Sequence, residues 1–234
     1  MKGKLLILFL IGISLISCSQ EEFSPGPKGP IGPQGDVGLQ GDLGPQGNIG
    51  PSSENAIAIK GTGVLVESEY PITGFTEIDA SDFFDVEIGQ GETYRVMVEA
   101  DEAIMPYIDI VGQGKTLRIG LKNYTYNMEN TLQRVEVTLP ALTRACISNH
   151  SELLLRDIEA DNSLLFEVEE FSELHGMVDA NKIQVEVDNH SEITLSGSAS
   201  QVTGDVLNHS SADLTGLDAA ELDVAVDRFS TVDQ

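Results

Sequence analysis

The chain has 234 residues, 41% apolar and 22% charged, with no tryptophan, so one or two domains must draw their cores from Val, Ile and Leu. Thirteen basic and 38 acidic residues give a net charge of −25, which excludes nucleic acid and anionic membrane surfaces as natural partners because both repel an acidic protein. Two cysteines, Cys18 and Cys146, are too few for a disulfide scaffold, and Cys146 reads as a small, partly buried strand residue.

Residues 1–17 read as a secretory signal: Lys2 and Lys4, an apolar run from Leu5 to Ile16, then the small Ser17. The run is too short for a comfortable membrane span. Leu15-Ile16-Ser17-Cys18 resembles the lipobox of bacterial lipoproteins, which implies lipidation of Cys18 and makes that cysteine the new N-terminus. Several acyl chains then give a lasting membrane anchor. Removal of Lys2 and Lys4 takes the net charge from −25 to −27. Residues 18–25 form the lipidated tether. Ser19 rather than aspartate follows the cysteine, so by the same resemblance the expected location is the cell envelope, as an outer-membrane lipoprotein. Glu21 and Glu22 resemble surface-export signals and extend the expectation to surface exposure.

Glycine then recurs at every third position from Gly26 to Gly50, giving nine Gly-X-Y triplets over residues 26–52. A collagen triple helix demands this period because only hydrogen fits near its axis. Proline fills the X position at Pro27, Pro30, Pro33, Pro45 and Pro51 and never the Y position, as suits a chain made without prolyl hydroxylation. Two outcomes stay open: a homotrimer through residues 26–52, or a polyproline-like spacer on a monomer. Either way the segment spans about 80 Å as a stalk.

Residues 56–234 change texture to alternating strands broken by Gly, Asn and Asp, as in Phe84-Asp85-Val86-Glu87-Ile88 and Tyr94-Arg95-Val96-Met97-Val98. The second half repeats. Asn149-His150-Ser151-Glu152-Leu153 recurs as Glu170-Phe171-Ser172-Glu173-Leu174, as Asn189-His190-Ser191-Glu192-Ile193, as Asn208-His209-Ser210-Ser211-Ala212 and as Arg228-Phe229-Ser230-Thr231-Val232. The serines at 151, 172, 191, 210 and 230 thus keep a near-constant interval. Such a period in a strand-rich sequence predicts an all-β fold, a parallel β-helix-like solenoid head preceded by the collagen-like stalk. A second strand is expected before each serine, as in Ile183–Val187 and Leu222–Val226, with Gly176, Gly197 and Gly216 in turns.

Alternation sets the faces. Ser151, Leu153 and Leu155 point to the core with Ser191, Ile193, Leu195, Ser210, Ala212 and Leu214, and the serines stack in a hydrogen-bonded column. His150, Phe171, His190, His209 and Phe229 point outward beside Glu152, Glu173 and Glu192, as a candidate surface-binding ladder.

Thr73-Gly74-Phe75-Thr76-Glu77-Ile78, Phe84–Gly91, Val96–Glu102, Thr116-Leu117-Arg118-Ile119 and the serine-centred repeats resemble the putative auto-transporter adhesin head GIN domain over roughly residues 60–234. The resemblance implies a strand-rich, β-helix-like head with an adhesive role and supplies no catalytic residue. One departure stands out: members commonly carry a Gly-Ala pair around the repeated serine, where this chain has His and Glu. The chain also stops at Gln234 in mid-repeat without a cap, where a solenoid end needs one, so a truncated C-terminus is expected.

His190 and His209 on adjacent repeats, with Glu192 beside them, raise a zinc or copper site, but three or four converging ligands are required and the sequence offers no others. Acidic turns such as Asp157–Asp161, or Asp85 with Glu87, leave calcium as the one cofactor to weigh; without a calcium-loop motif, a solvated acidic face is the plainer reading and no cofactor is expected. Polysaccharide lyases on β-helices need a basic residue among clustered acids, and beyond residue 135 only Arg144, Arg156, Lys182 and Arg228 are basic. No nucleophile motif or phosphate loop is present, so the chain is expected not to be an enzyme. The expected function is a structural or adhesive envelope lipoprotein with an extracellular glycan or protein ligand. The alternative is a carbohydrate-binding or carbohydrate-processing lipoprotein that uses the outward ladder as a sugar platform.

Overall fold

The computed structural model describes residues 56–122 and 126–234. Cys18, the signal segment, the tether and the Gly-X-Y stretch therefore lie outside the described residues. The described chain is all-β. Its first half carries β1 (Ile57–Lys60), β2 (Leu65–Glu69), β3 (Glu77–Ala80), β4 (Asp85–Gln90), β5 (Arg95–Asp101), β6 (Ile108–Gln113), β7 (Thr116–Leu121), β8 (Tyr126–Glu129), β9 (Gln133–Leu139) and β10 (Arg144–Ile147). Five strands complete it: β11 (Glu152–Val168), β12 (Glu173–Val187), β13 (Glu192–Val206), β14 (Ser211–Val226) and β15 (Thr231–Asp233).

The alternation seen in sequence is realised side by side in these strands. In β4, Val86 and Ile88 are buried while Asp85 is exposed, and in β9 Val135, Val137 and Leu139 face inward. β1 and β8 form a two-stranded parallel sheet, and the other thirteen strands form one curled sheet. Two branches feed it. Antiparallel β2, β5 and β9 lead through β4 onto the first residues of β11, where Glu152 lies opposite Asp85. The β6–β7 hairpin leads through β3 and β10 onto the last residues of β11, where Arg144 lies opposite Leu165. From β11 onward each long strand pairs in parallel with the next, from β12 through β15.

The two strands expected in each repeat are thus one long strand, and the glycines expected in turns lie inside strands. Gly176 sits in β12, Gly197 in β13 and Gly216 in β14. A Cβ on Gly176 would stand 2.5 Å from Cβ of Leu155 in the neighbouring strand, so glycine is retained there for close approach rather than for a turn. Cys146 is wholly rather than partly buried.

The register explains why the interval between serines is not quite constant. β12 and β13 pair without a break, in one register from Glu173 opposite Glu192 to Val187 opposite Val206. By contrast β11 slips against β12 twice, between Leu155 and Ile158 and between Ala160 and Ser163. Each slip is a bulge that takes up a single extra residue of β11, so the wider offset at Glu152 and Glu173 has closed by Val168 and Val187. β13 and β14 slip once, between Thr194 and Ser196. The core runs along the repeat in matched columns: Leu153, Leu174, Ile193 and Ala212 in one, Val168, Val187 and Val206 in another, all buried.

Candidate functional site

Each repeat strand hands over to the next through a four-residue turn: Glu169–Ser172, Asp188–Ser191, Leu207–Ser210 and Asp227–Ser230. Two successive residues take left-handed backbone angles in all but the last of these, with φ of 55° and 64° at Glu170 and Phe171, 56° and 63° at Asn189 and His190, and 52° and 68° at Asn208 and His209. Asn149 and His150 before β11, and Asp82 and Phe83 before β4, do the same. Asn, Asp and His enter this region more readily than most residues, but Phe and Glu pay of order 1–2 kcal/mol each, so other contacts must hold the turns.

Three ladders do so. Turn amides bond to the next turn: Phe83 N–H to the Asn149 carbonyl (3.0 Å), His150 to Glu170 (3.0 Å), Phe171 to Asn189 (3.0 Å) and His190 to Asn208 (3.1 Å). Inside the core the serine amides of residues 151, 172, 191 and 210 each donate to the hydroxyl oxygen of the following serine, at 3.2–3.3 Å. On the outside the rings stack. Phe83, His150, Phe171, His190, His209 and Phe229 follow one another with centroids 4.9–5.1 Å apart and planes within 16° of parallel. The Arg228 guanidinium covers the last ring, 4.5 Å from the Phe229 centroid.

The structure therefore brings all five ring residues singled out in the sequence into one column and adds Phe83 at its head. Phe83 precedes no serine; Phe84 occupies the core position instead. The available signal was Asp82-Phe83-Phe84-Asp85, the same order of turn residue, ring, core residue and acid as Asn149-His150-Ser151-Glu152. Beside the column, Asp85, Glu152, Glu173 and Glu192 stand directly opposite one another on successive strands, and all are exposed. Among the described residues, Glu173 lies 3.5 Å from His175, while Asp85, Glu152 and Glu192 have no ion-pair partner.

A second group of acids lies at the start of the turns and just before them. Glu167 is buried and paired with Arg144, yet burial outweighs that bond and raises its carboxyl. Glu169 is half-buried and pushed up to about 7, first by burial and then by Glu167, Glu170, Asp188 and Glu186. Asp227 is lowered, chiefly by the hydrogen bond from the Ser230 hydroxyl.

This geometry limits the chemistry. The four inner rings have both faces covered by neighbours, so only ring edges meet solvent. Sugar rings stack on aromatic faces, and of the two ends of the column only Phe83 has such a face, because Arg228 covers Phe229. Histidine lone pairs lie in the ring planes, so the near-parallel His190 and His209 cannot converge on one ion. Among the described residues no group of three or more His, Cys, Asp or Glu is arranged to hold a metal. Asp85 and Glu87, weighed for calcium, lie along strand β4, where Glu87 is bonded to Arg156, and Asp157–Asp161, expected as a turn, lies inside strand β11. A cleft of about 110 Å³ lies over Glu67, Arg95, Met97, Glu99, Arg134 and Glu136, far below the usual size of a ligand pocket. Its charges pair across strands, Arg95 with Glu136 and Arg134 with Glu99, each at 3.4 Å.

No curated protein matches the chain. Among solved structures, one described as a putative adhesin from Bacteroides fragilis superposes with a TM-score of 0.60 at 13% identity, covering 75% of this chain and 99% of the other. One from Parabacteroides merdae gives 0.58 at 16% identity, covering 76% and 83%. One from Parabacteroides distasonis gives 0.54 at 18% identity, covering 73% and 81%. These likenesses establish the fold. A family model described as putative auto-transporter adhesin, head GIN domain, matches residues 74–228.

Proposed function

Because the chain belongs to the family of the putative auto-transporter adhesin, head GIN domain, we propose that it is a cell-envelope lipoprotein with an adhesive or structural role. Its head is read as a parallel β-solenoid, held away from the membrane by an anchor at Cys18 and the Gly-X-Y segment 26–52. One observation carries the reading of the head. Consecutive strands β11 to β14 pair in parallel although only four residues join them, and parallel neighbours ordinarily need a crossover of a dozen or more residues. Each strand itself must therefore travel the full circuit, which is what one turn of a solenoid does.

A stacked repeat of this kind presents the same side chains many times along one line, and that suits attachment over an extended area better than turnover in a pocket. The reading is non-catalytic, and the raised carboxyls of Glu167 and Glu169 follow first from burial. A sugar platform on the ring column gains no support from rings whose faces are covered by each other.

The test is attachment. A strain lacking the protein should bind less well than its parent to immobilised matrix proteins and envelope components, and the full chain should restore binding. Equal attachment by both strains removes the adhesive role. For the stalk, sedimentation equilibrium of the protein from Ser19 onward should show a trimer that weakens in Gly38→Ala; a monomer in both reduces residues 26–52 to a spacer.

A further inference from the structure

The ring column and its flanking acids form one surface whose chemistry names a partner. Phe83, Phe171 and Phe229 are each about half exposed, 49%, 54% and 52%, and are the largest of the apolar side chains left exposed among the described residues. They lie on a single line with the three histidines, and six rings at a strand spacing of ~4.8 Å make a strip about 25 Å long. Two residues along each strand, Asp85, Glu152, Glu173 and Glu192 form a parallel line of exposed carboxylates. Like charges facing one another on adjacent strands oppose pairing, so this line is held at a cost to the fold. The nearby basic residues are engaged elsewhere: Arg134 with Glu99, Arg156 with Glu87, Arg144 with Glu167, and Arg228 on the end ring.

We infer that this strip docks an extended, lysine- or arginine-rich polypeptide segment of another protein. Such a segment of about eight residues matches the strip in length at ~3.3 Å per residue. Its cations neutralise the carboxylate line, while its backbone and aliphatic stems lie along the ring edges, where the histidine nitrogens supply hydrogen-bonding groups. Charge decides between occupants. A second copy would set one carboxylate line against another on a chain of net charge −25, and an anionic polymer would meet the same repulsion. The inference rests on the adhesive reading and specifies the chemistry of the ligand.

The test uses the full chain and a fluorescein-labelled octalysine peptide, followed by fluorescence anisotropy at two salt concentrations. Wild type should bind octalysine more weakly at the higher salt, and should not bind octaglutamate. The triple variant Glu152→Gln, Glu173→Gln, Glu192→Gln should lose about tenfold in affinity. A control triple that removes equal charge away from the strip, Glu67→Gln, Glu92→Gln, Glu102→Gln, should change it less than about twofold. Circular dichroism and melting establish that both variants fold; if the first does not, the double variant Asp85→Asn, Glu192→Gln replaces it. No binding by wild type, binding of octaglutamate, or a gap of less than about threefold between the two variants overturns the inference. Those results leave the adhesive reading standing if the deletion strain still attaches poorly; equal attachment with intact octalysine binding removes the adhesive reading alone.

Discussion

The amide of Ser172 donates to the hydroxyl oxygen of Ser191 across 3.3 Å, inside a core where both residues are fully buried. The column of such bonds begins at Ser151, whose own hydroxyl oxygen is buried without a hydrogen-bond partner. Ser191→Ala strands the Ser172 amide and should cost about 1–2 kcal/mol. Ser151→Ala removes an unsatisfied hydroxyl and should be neutral or stabilising. Denaturant titration of the two variants checks this; equal losses would refute it.

Gly204 has φ of 155°, and a Cβ built there falls 1.8 Å from the Val185 carbonyl oxygen. Gly204→Ala should therefore cost about 3 kcal/mol, as backbone and core must both move. Gly89→Ala, where a Cβ meets nothing within 4 Å, should change stability by less than about 0.5 kcal/mol. Thermal melts of both variants make the comparison.

Phe171 sits between His150 and His190 at 5.1 and 5.0 Å. Phe171→Ala keeps the left-handed backbone angle and removes both ring contacts, so it should destabilise by about 1–3 kcal/mol. His190→Phe preserves the stack and should cost less than about 1 kcal/mol. If chemical denaturation finds the two substitutions alike, the rings do not hold the turns.

Glu169 predicts a pH dependence with a definite sign. Its folded carboxyl titrates at about 7, above the ordinary value of 4.5, because burial and four neighbouring carboxylates resist its ionisation. Folding therefore favours the protonated form. The stability this group contributes is complete below about pH 4.5 and is lost as pH rises through 7. Glu169→Gln mimics the protonated form, so it should melt like wild type at pH 4.5 and above wild type at pH 8. A difference that does not grow with pH would sink the assignment.

The serine column and five of the six rings were legible because a side-chain period of two and a regular serine-centred repeat place them without ambiguity on opposite faces. Phe83 was not, since it lies far upstream of His150 and no serine follows it. The strand continuity of β12 through Gly176 was also hidden, because glycine signals a turn and a close backbone approach alike. The antiparallel branch of β2, β5 and β9 rests on pairings between distant segments that alternation alone does not choose among. The carboxylate line was visible in part: Glu152, Glu173 and Glu192 share the repeat, and Asp85 joins them only through the β4–β11 register.

The bulges in β11 bear on how such a chain tolerates change in length. Extra residues enter at Arg156–Asp157 and Asp161–Asn162, far along the strand from the turn, and the alignment is restored before Val168 reaches Val187. The molecule keeps phase as a toothed belt does, with slack taken up between the teeth and none at them. Single-residue insertions near positions 157 or 181 should leave the surface line intact, whereas one placed between Asn189 and Ser191 would throw every ring beyond it out of step with those before. Drift in such genes should therefore collect on the side of the head away from the rings.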